Sequence, residues 1–408
     1  MKHGRFMVVH PGARMHYAVP AILARAGMLD SIWTDVCANV GLCRWLALIW
    51  PKRLRPAAVR RMLGRRVPSD VPRETIHASL FWTRVEAVEQ RLIRADRHTD
   101  MQPPGYFSLD ARLRRHIDRH GFGRANALYV FSCQSTRVIA AAKEHGLYVV
   151  YEVPVAPEVW RVVQEEQIRF PGIESGMAKE KIESVNKWFL SEARLADLIV
   201  VPSDFVLESA VESGLPRERI AVVPYGVSEN WLREKPKPER GRVLFVGSVG
   251  LRKGVHYLAS AAKIVRSKGE SFEVRAVGPY DPRVIQRPEF SGLHYVGPIS
   301  RDEVQAELLS ADFFVLPSLA EGSATVSYEA LACGLPVIAT PSSGTVVRDG
   351  VEGFIVPPRN ADALADRMER LLCDRDLRER MSRNARERAR EYTWGRYGER
   401  LLAAFSVA

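Results

Sequence analysis

The sequence predicts an α/β protein of two doubly wound domains facing each other across a cleft. Three observations carry this. The chain has 408 residues, too many for one ordinary domain of about 100–200 residues. Short β-branched segments alternate with amphipathic helical ones, the pattern of parallel sheets covered by helices. Near the middle, Arg233–Arg242 reads REKPKPERGR, charged and proline-bearing without apolar periodicity, and the alternation restarts after it.

Before that stretch, the segments that read as strands are Arg5–His10, Ser31–Val36, Ala127–Ser132, Leu147–Val153, Asp197–Val201 and Ile220–Val223. Between them, Arg137–His145 keeps Val138, Ile139 and Ala142 on one face of a helix. Ser203 stands as the N-cap of a helix through Val206 and Val211, which Gly214 and Pro216 close. After the stretch, strands are expected at Arg242–Gly247, Phe272–Val277, Leu293–Gly297, Asp312–Leu316, Pro336–Thr340 and Gly353–Val356. Asp374–Ala408 is helical in pattern, with Tyr392, Trp394, Tyr397, Leu401 and Leu402 available to pack. The expected organisation is a first domain over 1–232, a linker over 233–241, a second domain over 242–385 and a C-terminal helix over 386–408. Ligands of such sheets bind beyond the C-terminal ends of the strands.

Composition narrows the function. At 46% hydrophobic and 26% charged residues the chain has material for two cores, which excludes wholesale disorder. The longest strongly apolar run, Trp45–Trp50, is too short to span a bilayer. Phe6–Val9 is broken at once by His10 and Pro11, so no signal peptide is expected. Five cysteines (Cys37, Cys43, Cys133, Cys333 and Cys373) form no CxxC, which argues against a disulfide framework or zinc site and for a reducing cytoplasm. The net charge is +11, yet Val36–Ser69 holds eight basic residues (Arg44, Lys52, Arg53, Arg55, Arg60, Arg61, Arg65, Arg66) and no acid. Without those eight the chain stands at +3, so the basicity is a local patch suited to an anionic surface or substrate. A nucleic-acid partner is disfavoured, because the patch lacks aromatic stacking spacing and no RNA or DNA motif is present.

Three loops of the second half fall at strand C-terminal ends. The first, Gly247-Ser248-Val249-Gly250-Leu251-Arg252-Lys253-Gly254, has glycines that let backbone approach a phosphate, and a helix starting near Gly254 offers unpaired N–H groups. Arg252 and Lys253 add charge for a diphosphate; a tight turn with two solvated cations is the plainer alternative. The second, Pro317–Glu329, carries Glu321 in its Pro/Ser/Gly part, and eight residues on Glu329 lies in the helix that then runs through Ala330–Gly334. A loop carboxylate and a helix carboxylate can hold two hydroxyl-bearing parts of one ligand, with the N–H groups of Thr325, Val326 and Ser327 meeting a phosphate between them. The third, Thr340–Thr345, reads by itself only as a turn.

Together these pieces resemble the catalytic domain of the retaining family 4, or "group 1", glycosyltransferases of GT-B fold. The likeness rests on Val246-Gly247…Arg252-Lys253-Gly254, Ala311-Asp312…Pro317-Ser318…Glu321, Glu329-Ala330-Leu331-Ala332-Cys333-Gly334-Leu335-Pro336 and Gly353-Phe354…Val356-Pro357-Pro358. It covers residues 185–400 well and the rest weakly. The resemblance implies two Rossmann-like domains, a C-terminal helix crossing back to the first, and retaining transfer of a sugar from a nucleotide-sugar donor without a metal or cofactor. It assigns Glu321 to donor-sugar hydroxyls, Glu329 to ribose hydroxyls, and Lys253 with Arg252 to the departing diphosphate. Gly12, Gly247, Ser248, Gly322, Ser323, Thr325, Val326 and Ser327 complete the implied donor site.

Two departures stand out. Ser248 occupies a position where many relatives have Arg, a part Arg252 would take over. Tyr151–Pro157 lacks the cleft histidine many relatives carry; Glu152 is its only ionisable residue, with a structural role as the alternative. His16 reads as a helix-start residue, and no general base is assigned. Asp374-Arg375-Asp376 reads as a solvated helix start rather than a metal site. A non-catalytic sugar-nucleotide-binding protein and a GT-B-fold epimerase remain the alternatives, the glutamate pair weighing against the epimerase. Trp45, Leu46, Leu48, Ile49 and Trp50 beside Lys52, Arg53 and Arg55 fit an interfacial segment. On that reading a glycan or lipid-linked acceptor at an anionic membrane surface, reached through residues 40–66 from the cytoplasmic side, is expected; a buried helix followed by a solvated basic helix is the alternative.

Overall fold

The protein is described by a computed structural model covering residues 4–78, 106–132, 135–174 and 176–407; Cys133 lies outside these. The first sheet contains β1 (Phe6–Val9), β2 (Leu29–Thr34), β3 (Ile76–Ala78), β4 (Ala127–Phe131), β5 (Tyr148–Glu152), β6 (Leu198–Val201) and β7 (Ile220–Val222) in the order β3-β2-β1-β4-β5-β6-β7. The second contains β8 (Arg242–Val246), β9 (Glu273–Val277), β10 (His294–Gly297), β11 (Phe313–Leu316), β12 (Val337–Ala339) and β13 (Gly353–Ile355) in the order β10-β9-β8-β11-β12-β13. Every pairing is parallel. Inner strands such as β1, β4 and β11 are buried at every residue. Parallel strands covered on both faces must read as continuous apolar runs, which is why the sequence reveals them.

Among the described residues, the covering helices of the first domain are α1 (Ala18–Arg25), α2 (Gly41–Ile49), α3 (Ala57–Leu63), α4 (Tyr106–His120), α5 (Thr136–Glu144), α6 (Val159–Arg169), α7 (Lys179–Ala193) and α8 (Asp204–Glu212). Those of the second are α9 (Val255–Ser267), α10 (Pro282–Ile285), α11 (Arg301–Ser310), α12 (Thr325–Ala332), α13 (Ala361–Cys373) and α14 (Arg375–Arg390), followed by α15 (Trp394–Val407). Residues 233–241 hold neither helix nor strand and are tied to the second domain by Lys237 N–H on Leu309 O and Glu239 N–H on Ser310 O, both 2.8 Å.

The structure corrects three readings. β2 lies two residues earlier than Ser31–Val36, because its register with β1 runs Met7↔Ser31 to Val9↔Trp33, which frees Asp35 to accept the Gly12 N–H at 3.0 Å. β3 has no strand signature; pairing with β2 at the sheet edge makes Ile76-His77-Ala78 a strand. The expected boundary at 386 falls inside α14, and the chain breaks instead at Thr393, which bridges to Val227. Asp374 caps α14 by accepting the Leu377 N–H at 2.8 Å. Past the break, α15 returns to the first domain, stacking Phe405 on Phe6 with centroids 4.9 Å apart and setting Gly398 against Ile22.

A second link joins the domains. Glu166 of α6 is fully buried and accepts from Tyr257 Oη at 2.6 Å and Arg359 Nε at 2.7 Å, both in the second domain. Burial alone would raise this carboxyl; His256, Tyr257 and Arg359 hold it at about 2.

Candidate functional site

In each sheet the strand order reverses beside one strand, β1 in the first and β8 in the second. The connections leaving a sheet at such a point diverge and open a crevice at the strand C-termini. The loop after β1 carries Gly12. The loops after β8 and β11 are those of Lys253 and Glu321, so two segments 68 residues apart meet because their strands are neighbours.

There Lys253 Nζ lies 2.6 Å and Arg252 Nη1 2.5 Å from the same oxygen, Glu321 Oε1. The Lys253 and Glu321 side chains are only 12% and 11% exposed, so little water screens the pair. Burial pulls the Lys253 ammonium below the usual lysine range; Glu321 holds it up while Arg252 pushes it down. The groups assigned to sugar and to diphosphate thus form one cluster. Arg252 also donates to Ala320 O at 3.3 Å, so its guanidinium is tied to the cleft although its side chain is 35% exposed. Ser248 is exposed.

Two glycines are required by close approach. Gly254 has φ +66° and an added Cβ would stand 2.1 Å from Pro317 O, which locks the two loops together. At Gly322 a Cβ would stand 1.6 Å from Pro154 O of the first domain. Gly322 is therefore another point where the domains touch, and Ser203 Oγ reinforces the seam by donating to Gly322 O at 2.5 Å while capping α8.

Glu329 sits in the first turns of α12, and Arg301 at the start of α11 reaches it, Nη2 to Oε1 being 2.5 Å. Arg301 also lies over the Trp231 ring at 5.2 Å. Burial raises the Glu329 carboxyl and Arg301 opposes this. Sequence reasoning missed Arg301, since an arginine at a capped helix start carries no signal of its own. Across the cleft, Met15, His16 and Tyr17 have φ of 47°, 52° and 59°, a left-handed run unusual outside glycine and of the kind found at functional loops. His16 lies in this turn rather than in a helix start. Desolvation, then Arg301, lowers its imidazole.

Some predicted donor contacts are otherwise engaged. Ser323 Oγ donates to Gly344 O at 2.8 Å and lies 2.8 Å from Tyr328 Oη, so it fixes the loop from within. Ser327 N–H donates to Ala324 O at 2.9 Å, which leaves Thr325 and Val326 as the amides ahead of the α12 hydrogen-bond ladder. The Thr340–Thr345 loop is more than a turn: Ser342 O and Ser343 O accept from Glu321 and Ala324 N–H at 2.9 and 3.2 Å. Glu152 takes the structural alternative. It is 1% exposed and accepts from Tyr129 and Tyr225; burial pushes its carboxyl up to about 7.

The basic patch also divides. Arg55 is buried and donates to Trp50 O at 2.9 Å and Ala47 O at 2.8 Å, capping α2. Arg65 holds Asp35 at 2.6 Å, and through it the Gly12 loop. Arg44, Arg53, Arg60 and Arg66 are exposed; the side chains of Lys52 and Arg61 are outside the described set.

Residues 227–388 match the family described as glycosyl transferases group 1. A Salmonella typhimurium protein named as the colanic acid biosynthesis glycosyltransferase WcaL is 32% identical over 221 residues, 48% of this chain and 52% of that one. The alpha-D-kanosaminyltransferase of Streptomyces kanamyceticus is 30% identical over 212 residues, 47% of this chain and 55% of that one. The chain thus spans about half the length of these relatives. Anabaena HepE, solved with UDP and glucose, superposes with a TM-score of 0.62 at 14% identity over 100% of both chains. Sucrose-phosphate synthase from Thermosynechococcus elongatus gives 0.65 at 16% identity over 99% of this chain and 98% of that one. The fold of the whole chain is that of these GT-B structures.

Proposed function

We propose, from the premise that residues 227–388 belong to the group 1 glycosyl transferases, that the protein is a retaining glycosyltransferase moving a sugar from a nucleotide-sugar to a hydroxyl acceptor. The observation that carries the reading is the convergence of Lys253 and Arg252 on Glu321, with Glu329 eight residues on. A donor lying over α12 would place its ribose hydroxyls on Glu329, which Arg301 aims, and its diphosphate between the Thr325 and Val326 amides and the two cations. Its sugar hydroxyls would displace Lys253 from Glu321, releasing the ammonium to the leaving diphosphate. Fixed cations in a dry cleft stabilise such developing charge without reorganisation, so no metal is needed for the leaving group. Incubation with UDP-, GDP-, ADP- and dTDP-sugars, reading nucleotide release and the anomeric configuration of the product by NMR, tests this. Binding of a nucleotide-sugar with neither transfer nor hydrolysis would favour a non-catalytic binding protein instead.

Glu329→Ala is expected to weaken free-nucleotide binding about 10- to 150-fold, the loss of a charged acceptor worth about 1.5–3 kcal/mol. Calorimetry measures it, and unchanged affinity would remove the ribose assignment.

The acceptor side is proposed to work at an anionic membrane, on the cytoplasmic face, with a glycan or lipid-linked acceptor. No helix among the described residues is long and apolar enough to cross a membrane. However, Leu42, Trp45, Leu48 and Ile49 share one outward face of α2, Trp45 and Ile49 being 66% and 70% exposed, while Cys43 on the opposite face is buried. Each exposed arginine beside such a face contributes about 1 kcal/mol at an anionic leaflet. Co-sedimentation with anionic but not neutral liposomes is expected, and replacing Arg44, Arg53, Arg60 and Arg66 by Gln is expected to abolish it. Equal pelleting with neutral vesicles would leave a soluble acceptor as the better reading.

A further inference from the structure

Arg252 and Lys253 stand on a turn of the second domain, yet two carboxylates of the first domain bracket that turn. Two residues before Lys253, the Leu251 N–H donates to Glu174 Oε1 at 2.7 Å. Four residues after it, the Tyr257 hydroxyl donates to Glu166 Oε1 at 2.6 Å. Phe170 packs against His256 at 68° with ring centroids 4.6 Å apart. Glu166, Phe170 and Glu174 belong to one stretch, the end of α6 and the chain that follows it. Within that stretch Ile173 is buried in one core with Val249 and Leu251.

The turn is shaped to receive Glu174. At Gly250 an added Cβ would stand 2.3 Å from Glu174 Oε1, so the missing side chain is what lets the carboxylate reach the Leu251 amide. On the other side, the Leu319 N–H donates to Arg252 O at 2.8 Å, which ties the turn to the loop of Glu321. Leu251 itself is fully buried. The backbone that carries the two cations is therefore pinned once from each domain, by Glu174 just before Arg252 and by Leu319 at it.

We propose that Glu174 is a positioning residue for Arg252 and Lys253: through this carboxylate the first domain sets where the two cations stand in the donor cleft. The part played by the cations is that of the transferase reading, on which the inference rests. A reacting group misplaced by about 1 Å can lose about 100-fold in rate, so a hydrogen bond to the residue before Arg252 has leverage on the reaction without touching the donor. The contact is to backbone, and what it asks of Glu174 is an acceptor oxygen. A glutamine amide supplies one as well.

Hydrogen exchange, followed by mass spectrometry on the full chain, is expected to be faster across residues 247–254 in Glu174→Ala than in the parent, and to be restored in Glu174→Gln. Gly250→Ala, at a position outside the left-handed region, presses on the movable end of Glu174 and is expected to reproduce the faster exchange. Combining it with Glu174→Ala is expected to add nothing. Nucleotide release from a donor sugar that the parent turns over is expected to fall about tenfold or more in Glu174→Ala and to recover in Glu174→Gln, with melting curves showing that the fold is kept. The loss is expected to be smaller when Lys253 is already alanine, because it passes through that side chain. Exchange over residues 247–254 unaltered by Glu174→Ala overturns the proposal. So does turnover at the parent rate, or a loss of equal size in the Lys253→Ala background. A parent inert toward every donor sugar counts against the transferase reading instead, and the exchange measurements then decide by themselves whether Glu174 positions the turn.

Discussion

Lys253→Ala is expected to lower turnover by about 100-fold or more, the scale seen when one preorganised donor is removed from a developing oxyanion. The ammonium sits 2.6 Å from Glu321 in a site that excludes most water, so no solvent cation takes its place at low cost. Lys253→Arg is not expected to rescue in full, because a planar guanidinium does not present its charge as the compact ammonium does. Rates of nucleotide release measure the effect, with a melting curve to show that the fold persists. The parent activity is expected to survive EDTA. Loss with EDTA and recovery with magnesium or manganese would assign the diphosphate to a metal and overturn the role given to Lys253.

Glu321→Gln is expected to depress turnover while sparing free-nucleotide binding, since its partner on a donor is the sugar. Its effect on pH carries more information. Burial lowers the Lys253 ammonium and Glu321 holds it up. Activity that needs the protonated lysine is present below its pKa and falls as pH rises through it. Removing the carboxylate lowers that pKa further, so the alkaline limb of the pH–rate profile is expected to move to lower pH in Glu321→Gln. An unmoved limb with reduced turnover would mean that Glu321 acts on the sugar alone and that the coupling to Lys253 has no catalytic consequence.

Among the described residues, Arg44, Arg53, Arg60 and Arg66 are the basic residues of the 40–66 segment that stand exposed. Sequence reasoning counted eight basic residues from Arg44 to Arg66 as one patch. Arg55 is spent on carbonyls at the end of α2 and Arg65 on Asp35, so neutralising Arg65 would disturb the Gly12 loop rather than test a membrane contact. Charge counts do not distinguish a solvated guanidinium from one closing a helix end, because the carbonyls it satisfies lie five to eight residues away in sequence.

What the sequence determined by itself is what short-range physics encodes. Strands buried on both faces must be apolar runs, so twelve segments were legible and β3, a three-residue edge strand, was not. Glycine loops at strand ends and two carboxylates at fixed spacing on a loop and its helix were equally legible, because both are local. Only the tertiary structure decided that Lys253 and Arg252 meet one oxygen of Glu321, that Arg301 aims Glu329, that Ser323 and the Thr340–Thr345 loop are scaffold, and that Glu152 is buried against Tyr129 and Tyr225. Those partners are mostly tens of residues apart, and what unites the central cluster is the reversal of strand order that makes β8 and β11 neighbours. Adjacency of strands is settled by packing of whole sheets, a balance of burial over the entire chain that no local pattern records.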